Sequence, residues 1–273
     1  PIAREEIMMS DAMSSTVGWT SAGTSVDGGV VAGTMQTNGY SFSASSYGTG
    51  TSWHGPALKR SIPGAPLTDF MVEAKFQISN PKSSLRGRVE FTLLDDLSQV
   101  TAKFAMKRIG GGAGGSTAEL RVGDGSDGKY VVSYAGSRGV EWRNFTGVMR
   151  LTRVGKEWEL YVAIVDAVTG KHHTRYRQTY SDNEFEYVRN LSQIQIHVGA
   201  SGTIAPSTMD IRDLKVWRIN QVTSTEIPYI AHAGDVITID TTQNLIAING
   251  EERNDLKDFG GTYFDLQKGL TTL

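Results

Sequence analysis

The 273-residue chain carries 27 basic and 29 acidic side chains, and its formal net charge of −2 gives none of the cationic excess that is usual in nucleic-acid-binding proteins. It has no cysteine, which excludes disulfide frameworks, thiolate catalysis and cysteine-based zinc sites. No run approaches the roughly 20 apolar residues of a membrane-spanning helix, and residues 1–6 lack the apolar core of a signal peptide. We therefore expect neither nucleic acid nor a membrane among its partners. Pro1 is compatible with removal of an initiator Met and with a cut inside a longer polypeptide.

Apolar and polar residues alternate over much of the chain, and glycine, which occurs 31 times, separates the runs. A period of two predicts strands with one buried and one solvated face. The residues predicted to face the core are Phe70, Val72, Ala74, Phe76 and Ile78; Val89, Phe91 and Leu93; Trp158, Leu160, Val162 and Ile164; and Ile194, Ile196 and Val198. Turn signals such as Asn80-Pro81 and Thr169-Gly170 lie between the runs. No long amphipathic helix is predicted, only a short turn near residues 183–189.

Many short antiparallel strands predict an all-β fold, an antiparallel β-sandwich of the jelly-roll, lectin-like type. We place this domain at residues 8–220, from Val17-Gly18-Trp19 to the strand Leu214–Ile219, with residues 1–7 as an N-terminal connection. The hydrophilic stretch after Asn220 indicates a linker, so residues 221–273 hold a linker and a short C-terminal β segment.

The C-terminal segment contains two predicted short strands, Gly234–Asp240 and Leu245–Ile248, joined by a polar turn and followed by the turn signal Asn249-Gly250. A segment of about 50 residues with so few large apolar side chains does not bury a self-sufficient core. We therefore expect it to pack on the larger domain, on missing chain or on a neighbouring subunit.

This residue pattern, Gly234-Asp235 through Ile239-Asp240 and then Asn249-Gly250, resembles the C-terminal segment of siphophage distal tail proteins. The stretch Phe259–Gly269 is similar to the ending of those proteins, in which a galectin-like domain follows an N-terminal ring-forming domain. The resemblance implies a virion protein of the phage tail tip, made in the bacterial cytoplasm. It implies a hexameric ring of copies that joins the tail tube to the baseplate, with tail-tip and receptor-binding proteins as further partners. We expect no cofactor.

The larger domain resembles a concanavalin/laminin-G-like jelly roll around Trp19, Trp53–Pro56, Phe70–Glu73 and Leu214–Trp217. In phages of Gram-positive hosts, such modules are inserted into "evolved" distal tail proteins as carbohydrate-binding domains, which implies contact with the host cell-wall polysaccharide. The family's ring domain is not evident before residue 8, and the chain stops where the family would add a last strand. The chain is then either a fragment of a tail protein or a relative with a changed architecture. The alternatives are a free-standing cellular lectin and a purely architectural tail protein.

Sugar binding by a β-sandwich requires aromatic faces for stacking and planar polar groups for the hydroxyls. Trp142 and Arg143 lie in a charged loop that we expect to be exposed, and the alternative of a Trp that pins this loop to the core carries equal weight. The candidates for stacking are Trp53, Tyr130, Tyr134, Trp142 and Tyr161. The tryptophans expected in the core are Trp19, Trp158 and Trp217, and Trp53 is expected at a structural corner.

Gln193, Gln195 and His197 form the polar face of one predicted strand. In a concave sheet they would direct amide and imidazole groups towards a glycan, whereas a solvated outer face is the commoner case. The predicted carbohydrate-binding residues are therefore Trp142, Arg143, Tyr130, Tyr134, Gln193, Gln195 and His197, and we predict no catalytic and no metal-binding residue.

Signals for metal or phosphate binding are weak. Asp124–Gly128 resembles a calcium loop but lacks the glutamate of an EF-hand, and a hairpin loop explains it better. Gly110–Gly115 lacks the Lys-Ser/Thr ending of a phosphate-binding loop, so it indicates a hairpin tip. His172 and His173 are adjacent and point to opposite faces of a strand.

A jelly-roll glycosidase needs two carboxylates that face one substrate. The nearest approaches are Asp95-Asp96, in a turn, and Glu157 and Glu159, on the solvated side of a strand. The chain has no Gly-x-Ser-x-Gly motif of an esterase. We expect a protein that is not an enzyme.

Overall fold

A computed structural model describes residues 4–23, 25–109, 115–125, 127–221 and 230–257, and these residues form strands and turns with one short 3-10 helix. The elements are β1 (Glu5–Asp11), β2 (Thr20–Ser21), β3 (Ser25–Val26), β4 (Gly29–Val31), β5 (Thr34–Thr37), β6 (Phe42–Ser46), β7 (Trp53–Gly55), β8 (Ala57–Ser61), β9 (Phe70–Ser79), β10 (Gly87–Leu94), β11 (Val100–Arg108), β12 (Thr117–Val122), β13 (Lys129–Tyr134), β14 (Asn144–Val154), β15 (Glu157–Val165), β16 (His172–Ser181), β17 (Gln193–Ser201), β18 (Thr208–Ile219), β19 (Ile237–Asp240), β20 (Leu245–Ile248), β21 (Glu251–Glu252) and the 3-10 turn Asn254–Leu256. None of the described helical residues forms a segment able to cross a membrane.

Two large sheets form the sandwich. The first sheet has the strand order β16-β15-β14-β9-β18-β6-β5, with β1 added on β18. The second sheet has the order β13-β12-β11-β10-β17-β7-β4-β3, with β8 also paired to β17 and β2 to β8. The predicted all-β sandwich is confirmed. Because β1 pairs with β18 from Glu5 onward, the first sheet begins three residues before the predicted start of the domain at residue 8.

The inner faces of the two sheets meet in one continuous apolar core. The alternation predicted for β9, β10 and β17 is confirmed, since every residue assigned to their inner faces is buried. Phe91 stacks on Phe104 with ring centroids 4.9 Å apart and packs against Phe76 of the opposite sheet at 5.6 Å. The prediction that Trp19 and Trp158 lie in the core is also confirmed.

Trp217 lies on the other side of its strand. The prediction that it belongs to the core was wrong: in this part of β18 the core-facing side chains are Leu214 and Val216, and Trp217 is half-buried on the outer face beside Lys215. The sequence Lys215-Val216-Trp217 fits either phase of a strand with period two, and the pairing of Val216 with Val72 of β9 fixes the phase.

Residues 230–257, here called the C-terminal β-unit, form a three-stranded sheet in the order β19-β20-β21 that lies on the outer face of the first sheet. The predicted hairpin and Asn-Gly turn are present, with positive φ angles of 51° at Asn249 and 81° at Gly250. A Cβ at Gly250 would lie 2.1 Å from the carbonyl oxygen of Gly170, so the close approach of the unit requires glycine there. Of the three expected supports for this segment, the larger domain provides one.

A buried ion pair fastens the C-terminal β-unit. Arg150 on β14 donates through Nη1 and Nη2 to the two carboxylate oxygens of Glu251, at 2.7 and 2.8 Å, and its Nη1 also reaches Glu73 at 3.2 Å. Burial raises the pKa of Glu251, but the hydrogen bond and charge of Arg150 outweigh it and the pKa is lowered from its usual value. The backbone N–H of His172 adds a hydrogen bond of 3.1 Å to the carbonyl of Gly250. A cleft of about 470 Å³ remains between the unit and the sheet, lined in part by Trp217.

The substitution Glu251→Gln is expected to weaken the attachment of the C-terminal β-unit by about 2–5 kcal/mol, because it leaves the guanidinium of Arg150 buried with one charged partner fewer. Hydrogen exchange of the amides in β20 and β21 measures this. The matched control is Glu252→Gln, whose pair with Arg175 is more exposed and contributes at most about 1 kcal/mol. Equal exchange rates in the two variants would contradict the assignment.

Candidate functional site

The outer face of the second sheet is polar and yet largely buried. Alternation along β10, β11, β12 and β17 directs their apolar residues to the core and their polar residues to this face. The residues concerned are Arg88, Glu90, Thr92, Lys103, Arg121, Gln195 and His197, and each is buried. The register places Thr92, Lys103 and Arg121 side by side on three neighbouring strands. Polar groups at these positions need partners from a covering segment, because an unpaired buried charge is costly.

The hairpin of β3 and β4 is that covering segment. Its turn residue Asp27 pairs through one carboxylate oxygen with Lys103 and accepts a hydrogen bond of 2.9 Å on the other from Nη1 of Arg121. The backbone carbonyl of Asp27 accepts a bond of 2.8 Å from Arg88. Burial raises the pKa of Asp27, but the contacts with Lys103 and Arg121 prevail and lower it to about 2. Asp27 is therefore an anion at neutral pH and the common partner of three cations.

Glycine allows the hairpin to approach the sheet closely. Gly28 has a φ of +63°, which favours glycine, and a Cβ at Gly29 would lie 1.9 Å from the carbonyl oxygen of Trp53. The ring of Trp53 is half-buried and lies 4.8 Å from the guanidinium of Arg88. Trp53, expected at a structural corner, begins the short strand β7, which pairs with β4 on one side and β17 on the other.

Glu90 and His197 occupy neighbouring register positions beneath this hairpin. Neither carboxylate oxygen of Glu90 has a hydrogen-bond partner among the described residues, although Arg88 and Lys103 lie within 3.3 and 3.7 Å of it. Burial raises the pKa of Glu90 despite the attraction of these cations. Burial, with the charge of Arg88, lowers the pKa of His197 well below its usual value, so the imidazole is neutral. Both side chains are inaccessible to solvent and lie beneath the hairpin of β3 and β4.

A cleft of about 390 Å³ opens beside the hairpin on the same face. Its floor contains Thr92 and Gln195, and its walls include Asp27, Arg121 and Lys59. Backbone and side-chain groups of the loop between β10 and β11 close the other end, where Lys59 donates to the Ser98 hydroxyl at 3.1 Å. The cleft thus presents an amide, hydroxyls, two cations and the carboxylates of Asp27 and Asp124, which suits a hydroxyl-rich ligand.

Tyr130 supplies an aromatic face next to the cleft. Its ring is 52% exposed, and Lys103 and Arg121 lie 5.5 and 5.8 Å from the ring centroid. The cations hold the ring from one side. An exposed ring in a fixed position is the arrangement that stacking on a sugar requires.

The structure brings four of the seven predicted binding residues to this face, namely Tyr130, Gln193, Gln195 and His197. Gln195 lines the cleft, whereas His197 is buried beneath the hairpin. Gln193 lies at the edge, where its amide donates to the Asp95 carbonyl at 3.0 Å and to the Ser98 hydroxyl at 3.2 Å, so it braces the loop.

The expectation of an exposed Trp142 was wrong. Its side chain is 1% exposed and packs edge-on against Tyr134 and Phe145, with Nε1 donating to the Thr174 carbonyl at 3.3 Å. Glu141, which precedes Trp142 in this charged loop, accepts hydrogen bonds from Ser137, Arg138 and Val140, so its charge is satisfied within the loop. Arg143 follows in the same loop, away from the cleft.

Two further candidates for stacking are engaged elsewhere. Tyr134 stacks on Tyr176 at 4.1 Å on the core side of β13. Tyr161 is buried on the outer face of the first sheet, where its hydroxyl is 2.9 Å from Nδ1 of His172 and Arg150 lies 4.7 Å from its ring. Neither ring is available to a ligand in this arrangement.

The loops that invited a metal or phosphate prediction join strands. Residues 124–128 connect β12 and β13, with Gly128 N–H bonded to the Asp124 carbonyl, as in the hairpin interpretation. Residues 110–114, Ser126 and Phe259–Gly269 lie outside the described residues. Within the described ranges, no group of three or more histidine or acidic side chains is placed to hold a metal ion.

Sequence analysis missed Asp27, Arg88, Glu90, Lys103 and Arg121. A signal for β10 was present, because Arg88-Val89-Glu90-Phe91-Thr92 alternates and puts charged residues on the face opposite the core. A signal for the hairpin was present in Asp27-Gly28-Gly29 between valines. That these distant segments meet is a result of the sheet order, which the sequence does not display.

Trp142→Ala is expected to lower the free energy of unfolding by about 3–5 kcal/mol, because it empties a packed aromatic site. Chemical denaturation measures the change. The control Tyr40→Ala removes a ring that is 82% exposed and is expected to change stability by less than about 0.5 kcal/mol. If the Trp142 variant is as stable as the control, the assignment of Trp142 to the core is contradicted.

Comparison with known proteins supports the resemblance inferred from the C-terminal pattern. Residues 199–273 match the family described as "Siphovirus-type tail component, C-terminal domain", a range that includes the end of β17, the whole of β18 and the whole C-terminal β-unit. No curated protein matches the chain. The family resemblance is thus confirmed over this part of the sequence.

Solved structures with the same fold include a phage module. The CBM2 module of the evolved Dit of Lactobacillus casei BL23 phage J-1 superposes with a TM-score of 0.64 at 17% identity, over 81% of this chain and 98% of that one. SCLam, a non-specific endo-β-1,3(4)-glucanase of family GH16, gives a TM-score of 0.50 at 11% identity, over 80% and 93%. A Bauhinia forficata lectin in complex with GalNAc gives 0.46 at 11% identity, over 77% and 97%.

Proposed function

We propose that this chain is a structural component of the distal tail of a long-tailed bacteriophage, and that its β-sandwich binds carbohydrate of the host cell wall during adsorption. The tail-component match over residues 199–273 supports the tail role. The shared fold with a carbohydrate-binding module of an evolved Dit supports the presence of such a module. The observation that carries sugar binding is the polar cleft beside the exposed ring of Tyr130.

The proposed division of the chain follows the predicted boundaries, with the sandwich extended back to Glu5. Residues 5–220 form the carbohydrate-binding module, and residues 221–273 form the segment that connects it to the tail. The close contact between Gly250 and Gly170 and the Arg150–Glu251 pair would transmit force from the bound wall to that segment.

Recognition of the glycan in this proposal has two parts. Tyr130 stacks on the C–H face of a pyranose at the edge of the cleft. The amide of Gln195, the hydroxyl of Thr92 and the Nζ of Lys59 hydrogen-bond to sugar hydroxyls inside it. His197 and Glu90 support the floor from below and do not contact ligand.

One such site per copy suffices if the copies are held together. We propose that the chain assembles as a hexameric ring between tail tube and baseplate, beside tail-tip and receptor-binding proteins. Several weak sites on one ring act at high effective concentration, so avidity replaces affinity. A closed ring also needs heterologous interfaces, and the exposed β19 edge, with Ile237 and Ile239 facing solvent, is available for one.

We propose binding without catalysis. Glu90, the acid at the centre of the polar face, is closed off from solvent, and Asp27 is engaged by Lys103 and Arg121. Glu157 and Glu159 lie on the outer face of the first sheet, where Glu159 pairs with Arg177. A glycosidase needs two carboxylates free to face one glycosidic bond, and none of these pairs meets that need as it stands. The likeness to a GH16 glucanase concerns the fold and carries no argument for catalysis.

Tyr130→Ala and Gln195→Ala are each expected to weaken binding of the full chain to Gram-positive cell walls by about tenfold, a loss of roughly 1.4 kcal/mol. Sedimentation with a panel of purified cell walls measures retention, and circular dichroism checks the fold. Tyr40→Ala is the control, because it removes an exposed ring outside the cleft.

Retention of both variants at the level of the parent chain would place the sugar site elsewhere. If the parent chain binds none of the walls in the panel, the purely architectural tail protein is the better account. If the parent chain binds vertebrate or plant glycans but no bacterial cell wall, a free-standing lectin is the better account.

A further inference from the structure

Asp27 fills a site that the second sheet builds from two cations. Lys103 and Arg121 are direct register partners on β11 and β12, and each holds a different oxygen of the Asp27 carboxylate. Two cations that grip one carboxylate from two directions make the arrangement in which proteins bind an external acidic group. Here the acidic group comes from the chain itself.

The cations and the acid differ in how they are held. Lys103 and Arg121 lie on long strands of the sheet, with side chains 2% and 6% exposed. Asp27 lies in the turn of a hairpin whose strands are two and three residues long, and its side chain is 27% exposed. The pair of cations is fixed, whereas the acid can be reached from outside.

The open side of Asp27 faces the cleft described above. Asp27 and Arg121 both line this cleft of about 390 Å³, and Lys103, which does not line it, pairs with the other oxygen of the same carboxylate. A ligand group in the cleft that takes the place of this carboxylate would therefore meet both cations. Arg121 also has an unused donor, because its buried Nε has no acceptor among the described residues. The site can therefore donate more hydrogen bonds than Asp27 accepts.

The surrounding charge demands an anion in this position. Arg88, Lys103 and Arg121 face the carboxylates of Asp27 and Glu90, three cations against two acids. If Asp27 turned away with nothing in its place, Glu90 alone would face three buried cations, at high cost. A neutral sugar hydroxyl cannot replace that charge, whereas a carboxylate or a phosphodiester can.

We propose that Lys103 and Arg121 form an anion subsite of the cleft, which Asp27 fills in the unliganded chain, and that the glycan bound there carries a carboxylate or a phosphodiester that exchanges with Asp27. This inference rests on the proposed function and specifies the class of its ligand. Neutral polymers lack the group that displaces Asp27 and bind only through the outer part of the cleft. Selectivity for acidic polymers comes from this exchange.

Isothermal titration of the full chain with three probes tests the subsite: trigalacturonate for a carboxylate, a glycerol-phosphate oligomer for a phosphodiester, and maltotriose as the neutral probe. Binding of at least one acidic probe is expected to exceed that of maltotriose by tenfold or more. It is also expected to weaken several-fold between 50 and 500 mM NaCl, because the exchanged groups are charged. The acidic probe that binds identifies the source of the anion.

Three variants give the test its direction. Asp27→Asn removes the competing acid and is expected to strengthen binding of the acidic probe by about tenfold, with maltotriose unchanged. Arg121→Gln removes one of the two cations and is expected to abolish the preference for the acidic probe. The matched control Glu184→Gln removes an exposed negative charge outside the cleft and should change neither.

Equal binding of all three probes, or an Asp27→Asn variant with unchanged or weaker affinity for acidic probes, would overturn the anion subsite and leave a neutral sugar site intact. Failure of all three probes to bind would also overturn it, and wall sedimentation then decides separately whether the proposed function fails. If Asp27→Asn does not fold, the salt dependence of binding by the parent chain still tests the proposal. An affinity for the acidic probe that does not change with salt concentration would contradict it.

Discussion

Charges buried on the outer face of the second sheet constrain this molecule more than any other feature. Arg88, Lys103 and Arg121 rise from three adjacent strands, and none can be left without an acid nearby. Asp27 pairs through its carboxylate with Lys103 and Arg121 and accepts a hydrogen bond from Arg88 on its backbone carbonyl, and so determines where the hairpin of β3 and β4 lies. The position of that hairpin in turn defines one wall of the cleft. The pairing of these buried charges therefore also sets the shape of the candidate site.

The outer face of the first sheet is also covered by a short segment that an arginine–carboxylate pair holds in place. There an arginine of the sheet, Arg150, holds the carboxylate of Glu251 from the C-terminal β-unit. Both faces thus attach short segments of distant sequence through an arginine fixed on a strand and an acid on the attached piece. In the proposed function, the face that holds the C-terminal β-unit serves the connection to the tail, and the opposite outer face binds the ligand.

The sequence predicted the core well because a two-residue period needs only local information. Phe70 to Ile78 and Ile194 to Val198 show their faces directly, and the Asn249-Gly250 turn carries its own backbone preference. Trp142 and Trp217 were misplaced because the prediction used only local information. The polarity of adjacent residues does not show which distant residues a side chain packs against. Glu141 made its loop look exposed, but its charge is satisfied within the loop. Asp27 was missed because its partners, Lys103 and Arg121, lie 76 and 94 residues away along the chain.

The central claim is that the outer face of the second sheet, with Asp27 as the hub of its charges, is where this protein meets a glycan. Hydrogen exchange of the full chain with and without a retained cell-wall polysaccharide tests it most directly. The account predicts slower exchange in the β3–β4 hairpin and in the loop from Asp95 to Gln99, with β19–β21 unchanged. Protection confined to β19–β21 and the outer face of the first sheet would contradict it.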